Sequence, residues 1–170
     1  MAFEVRRLVT GHDRNGKAVV ASDEQLSGRT AAGRAGIARV ELWSADKMPI
    51  DNSEGVAAEA QKKGFVVRHN YVGSGQGHVC RVVEFSPNGH KFMHRTETLD
   101  YAILLKGECD LELDDGKTVR MKAGDICIQR GTMHAWVPAG SEPAVFAFIL
   151  IDADPVEMGG KSLTTHYPVA

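Results

Sequence analysis

Over most of its length this chain alternates apolar and polar residues with a period of two, the pattern of half-buried strands. Phe3 to Thr10 alternates, Gly11 to Gly16 supplies a turn, and Lys17 to Ala21 answers it, which predicts an N-terminal hairpin. Ser22 to Arg39 is rich in Gly, Ala, Ser and Arg without a period, and reads as a surface loop before a short strand at Val40 to Trp43. One helix is expected: Ser53 caps Glu54 to Lys63, with Ala57, Ala58 and Ala60 as good formers and Gly64 closing the end. Strands at Phe65 to Val72 and Cys80 to Phe85 follow. The glycines between them, Gly73 to Gly77, read as a mobile hairpin loop, because a strand and not a helix N-terminus comes next.

The second half carries the clearer pattern. A Pro87-Asn88-Gly89 turn leads to His94, Thr96 and Asp100 at even spacing, then to an apolar run ending at Lys106-Gly107. Alternation puts Asp100, Ala102 and Leu104 inward and the equally apolar Tyr101, Ile103 and Leu105 outward. An uncovered apolar face of that kind marks an interface, so a homodimer is expected, with the Phe3 to Ala21 hairpin packed on or exchanged with the partner's sheet. Cys109, Leu111 and Leu113 oppose Asp110 and Glu112, and Asp114-Asp115-Gly116 turns the chain back into Thr118 to Met121, a strong hairpin signal. Ile126 to Ile128 is β-prone, Arg130-Gly131 turns, His134 and Trp136 follow, and Ala144 to Ile151 is apolar on both faces and must be covered on both. Short strands in this succession predict an all-β protein, a jelly roll or small barrel.

Composition narrows the classes. At 170 residues the chain is sized for one domain, one that buries roughly 70% of its unfolded surface. A formal charge of −2 leaves no basic excess to neutralise phosphates, so nucleic acid is not an expected partner. No apolar leader and no long apolar run is present, which reads as a cytoplasmic protein without a membrane partner. The three cysteines are widely spaced within strand-like runs and read as buried free thiols.

Gly89 to Gly107 and Gly124 to Trp136 together resemble the two-motif signature of the cupin superfamily. Its first motif is Gly, His-x-His, three or four residues, Glu, six residues and Gly; its second is Gly, five residues, Pro-x-Gly, two residues and His. His94 stands at the first His, Thr96 where the second would be, Asp100 at the Glu and Gly107 at the closing Gly. Gly124 to His134 follows the second motif, with Arg130-Gly131 replacing Pro-x-Gly and one residue fewer. The resemblance covers residues 80 to 151. It implies a double-stranded β-helix, that is, a jelly-roll barrel, with N-terminal strands and at most one or two short helices. Residues 1–64 would hold the N-terminal strands, loop and helix, 65–151 the conserved barrel, and 152–170 a C-terminal tail, all in one domain.

The chemistry centres on His94, Asp100 and His134. Two imidazoles and a carboxylate suit a first-row divalent metal such as Fe, Mn, Zn or Ni. Without a metal, the same residues make an acid–base site in which His94 or His134 is the general base. Glu97 is the reserve carboxylate, out of phase with the even-numbered set. Thr96, Gln129 and Trp136 are expected to line the cavity and hold substrate. His12, His69, His78, His90 and His166 read as solvated, Asp114-Asp115 as turn chemistry, and Asp152 to Asp154 as a solvated loop. The expected function is an enzyme on a small oxygenated organic substrate, of lyase, isomerase, decarboxylase or dioxygenase type. The alternative is a cupin that binds a small ligand without turning it over.

Overall fold

A computed structural model of the chain describes residues 3–30, 34–45, 48–53 and 77–168. The expected helix at 54–63, the strand at 65–72 and most of the glycine loop lie outside those residues. Among the described residues the regular elements are strands apart from one 3-10 turn at Asp114–Gly116, and no helix is long and apolar enough to cross a membrane.

The N-terminal hairpin pairs β1 (Glu4–His12) with β2 (Ala18–Ser27). The stretch expected as a loop from Ser22 to Arg39 is largely strand: β2 runs on to Ser27, β3 is Arg29–Thr30, and β4 starts at Ile37 and ends at Ala45. Its composition hid this, since Gly, Ala, Ser and Arg are weak strand formers, and pairing with neighbours overrides propensity. The remaining strands are β5 (His78–Phe85), β6 (Thr98–Lys106), β7 (Glu108–Glu112), β8 (Thr118–Lys122), β9 (Ile126–Arg130), β10 (Ala135–Pro138), β11 (Ala144–Asp152), β12 (Val156–Met158) and β13 (Lys161–Leu163).

Two sheets face each other. The larger runs β3-β4-β5-β11-β6-β9 and the smaller β10-β7-β8, with antiparallel pairing in both. The apolar β11 lies between β5 and β6, and while one of its faces is buried, Val145, Ala147 and Ile149 on the other are only half-buried. Ala144, Phe146, Phe148 and Leu150 of β11 point into the core beside Val83, Ala102, Leu104, Leu111, Met121 and Trp136. Phe146 stacks on Phe148 at 5.2 Å and meets Trp136 of the opposite sheet at 4.9 Å, so aromatic contacts join the two layers.

The outward set of β6 is as alternation requires. Tyr101 and Leu105 are 37% and 52% exposed, and Ile126 and Ile128 on the edge strand β9 extend the same apolar face. Cys80, Cys109 and Cys127 are free thiols, Cys109 buried and the others half-buried. Gly107 joins β6 to β7 at φ +81°, where a Cβ would stand 2.5 Å from the Pro143 carbonyl oxygen. Gly107→Ala is therefore expected to destabilise the fold by about 1–3 kcal/mol from the backbone strain alone. Urea denaturation gives the test, and an unchanged midpoint would contradict this account of the turn.

Candidate functional site

The site is built on a single antiparallel bridge. His94 N–H donates to the His134 carbonyl and His134 N–H donates back to the His94 carbonyl, both at 2.9 Å. Directly opposed residues send their side chains to the same face, and the two rings lie 4.4 Å apart between centroids. Both face one cavity of about 90 Å³. That is room for roughly six to nine water-sized groups, the scale of a one-ring organic molecule.

Hydrogen bonds at the backs of the rings set which nitrogen carries the proton. His94 Nδ1 lies 3.0 Å from the Phe92 carbonyl and must donate to it, which leaves a lone pair on Nε2. His134 is held differently. Gln129 accepts from Gly131 N–H through Oε1 at 2.8 Å and donates through Nε2 to the Thr132 carbonyl at 2.8 Å, so its amide orientation is fixed. Its second N–H then points at His134 Nδ1, 2.5 Å away. The Thr132 oxygen is also 3.0 Å from that nitrogen, but Nδ1 cannot donate to the carbonyl while accepting from the amide. The fixed amide decides the assignment: Nδ1 accepts and Nε2 bears the hydrogen. Neither Nε2 has a hydrogen-bond partner among the described residues. The pair thus offers one acceptor and one donor to the cavity.

Burial keeps both rings neutral. It is the main reason that the His94 pKa falls to about 3, helped by the neighbouring His134, Arg34 and Arg81, and it brings His134 to about 4. The opposite occurs at Asp100, whose carboxyl is raised to about 6 by burial against the weaker pull of Thr98 and Arg81. Asp100 lines the same cavity, and its buried Oδ1 has no hydrogen-bond partner.

The other expected residues divide. Thr96 lines the cavity, but its hydroxyl is 2.7 Å from that of Thr98. Trp136 is both wall and core, edge-on to His134 at 5.5 Å. Gln129 does not line the cavity; it stands behind His134, its amide occupied by the turn at Gly131 and by the ring. Glu97, the reserve carboxylate, points the other way and accepts from Thr165 N–H and hydroxyl.

Several lining residues carried no expectation. Arg81 sits on the inward face of β5 with Val83 and Phe85, and a charge in phase with apolar neighbours is the signal that marks it. Arg34 and Arg39 come from the stretch expected as loop. The segment after 152, expected as a C-terminal tail, folds back: β12 and β13 form a hairpin, His166 bridges Arg95, and Tyr167 stacks on His94 and Phe92, 5.9 Å from each. At Asp152, Oδ2 accepts from Gly77 N–H at 2.8 Å. His90 is exposed, as expected, although it stands at the cavity's edge, while His78 is half-buried rather than solvated.

The metal implied by the two motifs needs a converging ligand set. Among the described residues no three His, Cys, Asp or Glu side chains come together to hold an ion. Two imidazoles share a face, the second motif histidine is Thr96, and that hydroxyl is engaged with Thr98. The described donors do not fit a three-ligand site.

The cupin domain model matches residues 81–151. Phomopsin biosynthesis cluster protein C' of Diaporthe leptostromiformis is 30% identical over 160 residues, covering 92% of this chain and 83% of that one. The cupin-domain-containing oxidoreductase virC of Hypocrea virens is 31% identical over 154 residues, covering 88% and 77%. The cupin domain of Schizosaccharomyces pombe Cnp3 shares the fold at a TM-score of 0.52 and 12% identity, over 86% of this chain and 87% of its own. This chain belongs to the cupin family.

The tautomers are directly observable. At pH 7, long-range proton–nitrogen NMR is expected to show His94 protonated at Nδ1 and His134 at Nε2, with neither ring becoming cationic down to about pH 5. An imidazolium signal from either ring at pH 6 would contradict the assignment.

Proposed function

We propose that this cupin is an enzyme that moves a proton on a small oxygenated organic molecule held in the barrel mouth. One observation carries the reading: a hydrogen-bond donor, a hydrogen-bond acceptor and a carboxyl with a pKa of about 6 line one buried cavity. Catalytic acids and bases work best when their pKa lies near the working pH. Burial has made both imidazoles weak bases, so that role moves from the histidines to Asp100.

The reaction follows from the donors and acceptors. His134 Nε2–H donates to a substrate carbonyl oxygen, and His94 Nε2 accepts from a substrate hydroxyl, which fixes the pose. The Asp100 carboxylate removes a proton from the carbon next to the carbonyl. The C–H electron pair becomes the C=C bond of an enolate, and its developing charge stays on the oxygen held by His134. Return of the proton from Asp100 to the former carbonyl carbon, with the hydroxyl proton passing from the oxygen at His94 to the oxygen at His134, exchanges carbonyl and hydroxyl and completes an isomerisation without net oxidation. A second reading, oxidation of the same substrate, is favoured by the name of the Hypocrea virens relative, and it requires an external electron acceptor.

A panel of oxo-acids, hydroxyketones and phenolic compounds, followed by mass spectrometry, separates these readings. Products of unchanged mass in chelator-treated protein support proton transfer. Products formed only with added Fe(II), Mn(II) or Zn(II), and differing by two hydrogens or an oxygen, support oxidation. Ligand binding with no product under either condition overturns the enzyme reading.

Asp100 also links activity to stability. Its folded pKa lies above the unfolded value, so its stabilising contribution is complete below about pH 4 and is lost as pH rises through about 6. The histidines have the opposite sign: their contribution is present above about pH 6.5 and is lost as pH falls toward 4 and 3. Asp100→Asn is therefore expected to lower turnover by roughly 100-fold or more, as loss of an acid–base group does. At pH 8 it should raise stability by about 1–3 kcal/mol, by removing a buried ionised carboxylate. Thermal melts at pH 8 and pH 4 check the sign, and a variant less stable than wild type at pH 8 would contradict it.

A further inference from the structure

The cavity has an excess of cationic over anionic groups. Arg34, Arg39 and Arg81 line it, with Asp100 as the sole carboxylate in the lining among the described residues. Two of the three guanidiniums have acidic neighbours. Arg39 pairs with Glu41 at 3.2 Å, and Arg81 lies within the influence of both Glu41 and Asp100. Arg34 differs: its guanidinium carbon stands 3.9 Å above the centre of the Phe92 ring and 5.7 Å from that of Tyr167, and it meets no carboxylate among the described residues. A guanidinium lying on a ring spends its face there and keeps its in-plane N–H groups, the geometry that grips a carboxylate in a bidentate manner.

Arg34 is held in this place by the backbone. Gly36, at φ +80°, abuts Gly89 so closely that a Cβ would come within 2.4 Å of the Gly89 Cα. Ser86 N–H donates to the Gly36 carbonyl at 2.8 Å, and His90 N–H donates to that of Ala35 at 3.1 Å. The Arg34 segment is thereby fastened to the turn that leads into Phe92 and His94. Beyond the guanidinium the walls are aromatic: Phe92, Tyr167, Trp136 and Phe148.

We propose that this site takes an aromatic carboxylic acid, its carboxylate on Arg34 and its ring between the aromatic walls, with the reacting end at His94 and His134. The proposal rests on the proton-transfer reading for that last placement, while the docking of the acid stands by itself. A planar anion of one ring matches the cavity in size, charge and wall chemistry.

Equilibrium binding tests it without turnover. Calorimetry with 4-hydroxybenzoate and the neutral 4-hydroxybenzyl alcohol, on the unaltered protein, is expected to show at least tenfold tighter binding of the acid. Arg34→Gln should erase that preference, Arg34→Lys should keep part of it, and Arg120→Gln, on the exposed face of the small sheet, should leave it intact. Equal affinity of acid and alcohol for the wild-type protein overturns the proposal whether or not any variant folds, as does a preference that survives in folded Arg34→Gln. Arg34-dependent binding of the acid with no turnover of any anionic compound supports this docking and counts against the enzyme reading. Turnover confined to neutral compounds does the reverse.

Discussion

The two hydrogen bonds exchanged between the backbones of His94 and His134 hold the site together. They tie the segment ahead of β6 to the segment ahead of β10, and so join the large sheet to the small one at the mouth of the barrel. Opposed residues of an antiparallel bridge share a face, so both side chains leave the backbone toward the cavity, and the bonds at Nδ1 hold the rings there. Everything else in the site is arranged around this fixed point. Tyr167 stacks against His94 and Phe92 packs on it at a tilt, Gln129 props His134 from behind, and Trp136 connects His134 to the aromatic core.

Burial supplies the chemistry that the bridge positions. The same desolvation that makes both imidazoles neutral raises the Asp100 carboxyl into the range in which it exchanges protons near neutrality. Arg34 and Arg81 add to this by disfavouring a second cation at His94. The cost is a carboxylate and a guanidinium kept inside a small barrel, and the fold tolerates them through the aromatic and aliphatic packing of β11. Groups held in this way trade stability for function.

How much of this the sequence disclosed varies with the range of the interaction. The alternation of β6 is local, and it placed Asp100, Ala102 and Leu104 inward and Tyr101 and Leu105 outward, as the structure has them. The motif spacing likewise brought His94 and His134 to one cavity. Asp100 lines that cavity too, but three ligands have to converge in space to hold an ion, and spacing along the chain could not test that. Gln129 was legible as a polar neighbour of His134, yet its position behind the ring depends on the turn through Gly131. Arg34 and Tyr167 reach the site from stretches that look like loop and tail, through long-range contacts with no local signature. Arg81 was the missed opportunity, since a charge in phase with Val83 and Phe85 is visible without a structure.

The central claim is that protein groups alone, with Asp100 as the base, move a proton on bound substrate. Deuterium wash-in measures this most directly: a bound hydroxyketone or oxo-acid is held in D2O with chelator-treated protein, and loss of the C–H signal next to the carbonyl is followed by proton NMR. Exchange that proceeds in the presence of chelator and disappears in Asp100→Asn is the result this account predicts. Exchange that stops with chelator, returns with added Fe(II), Mn(II) or Zn(II), and is indifferent to Asp100 would contradict it.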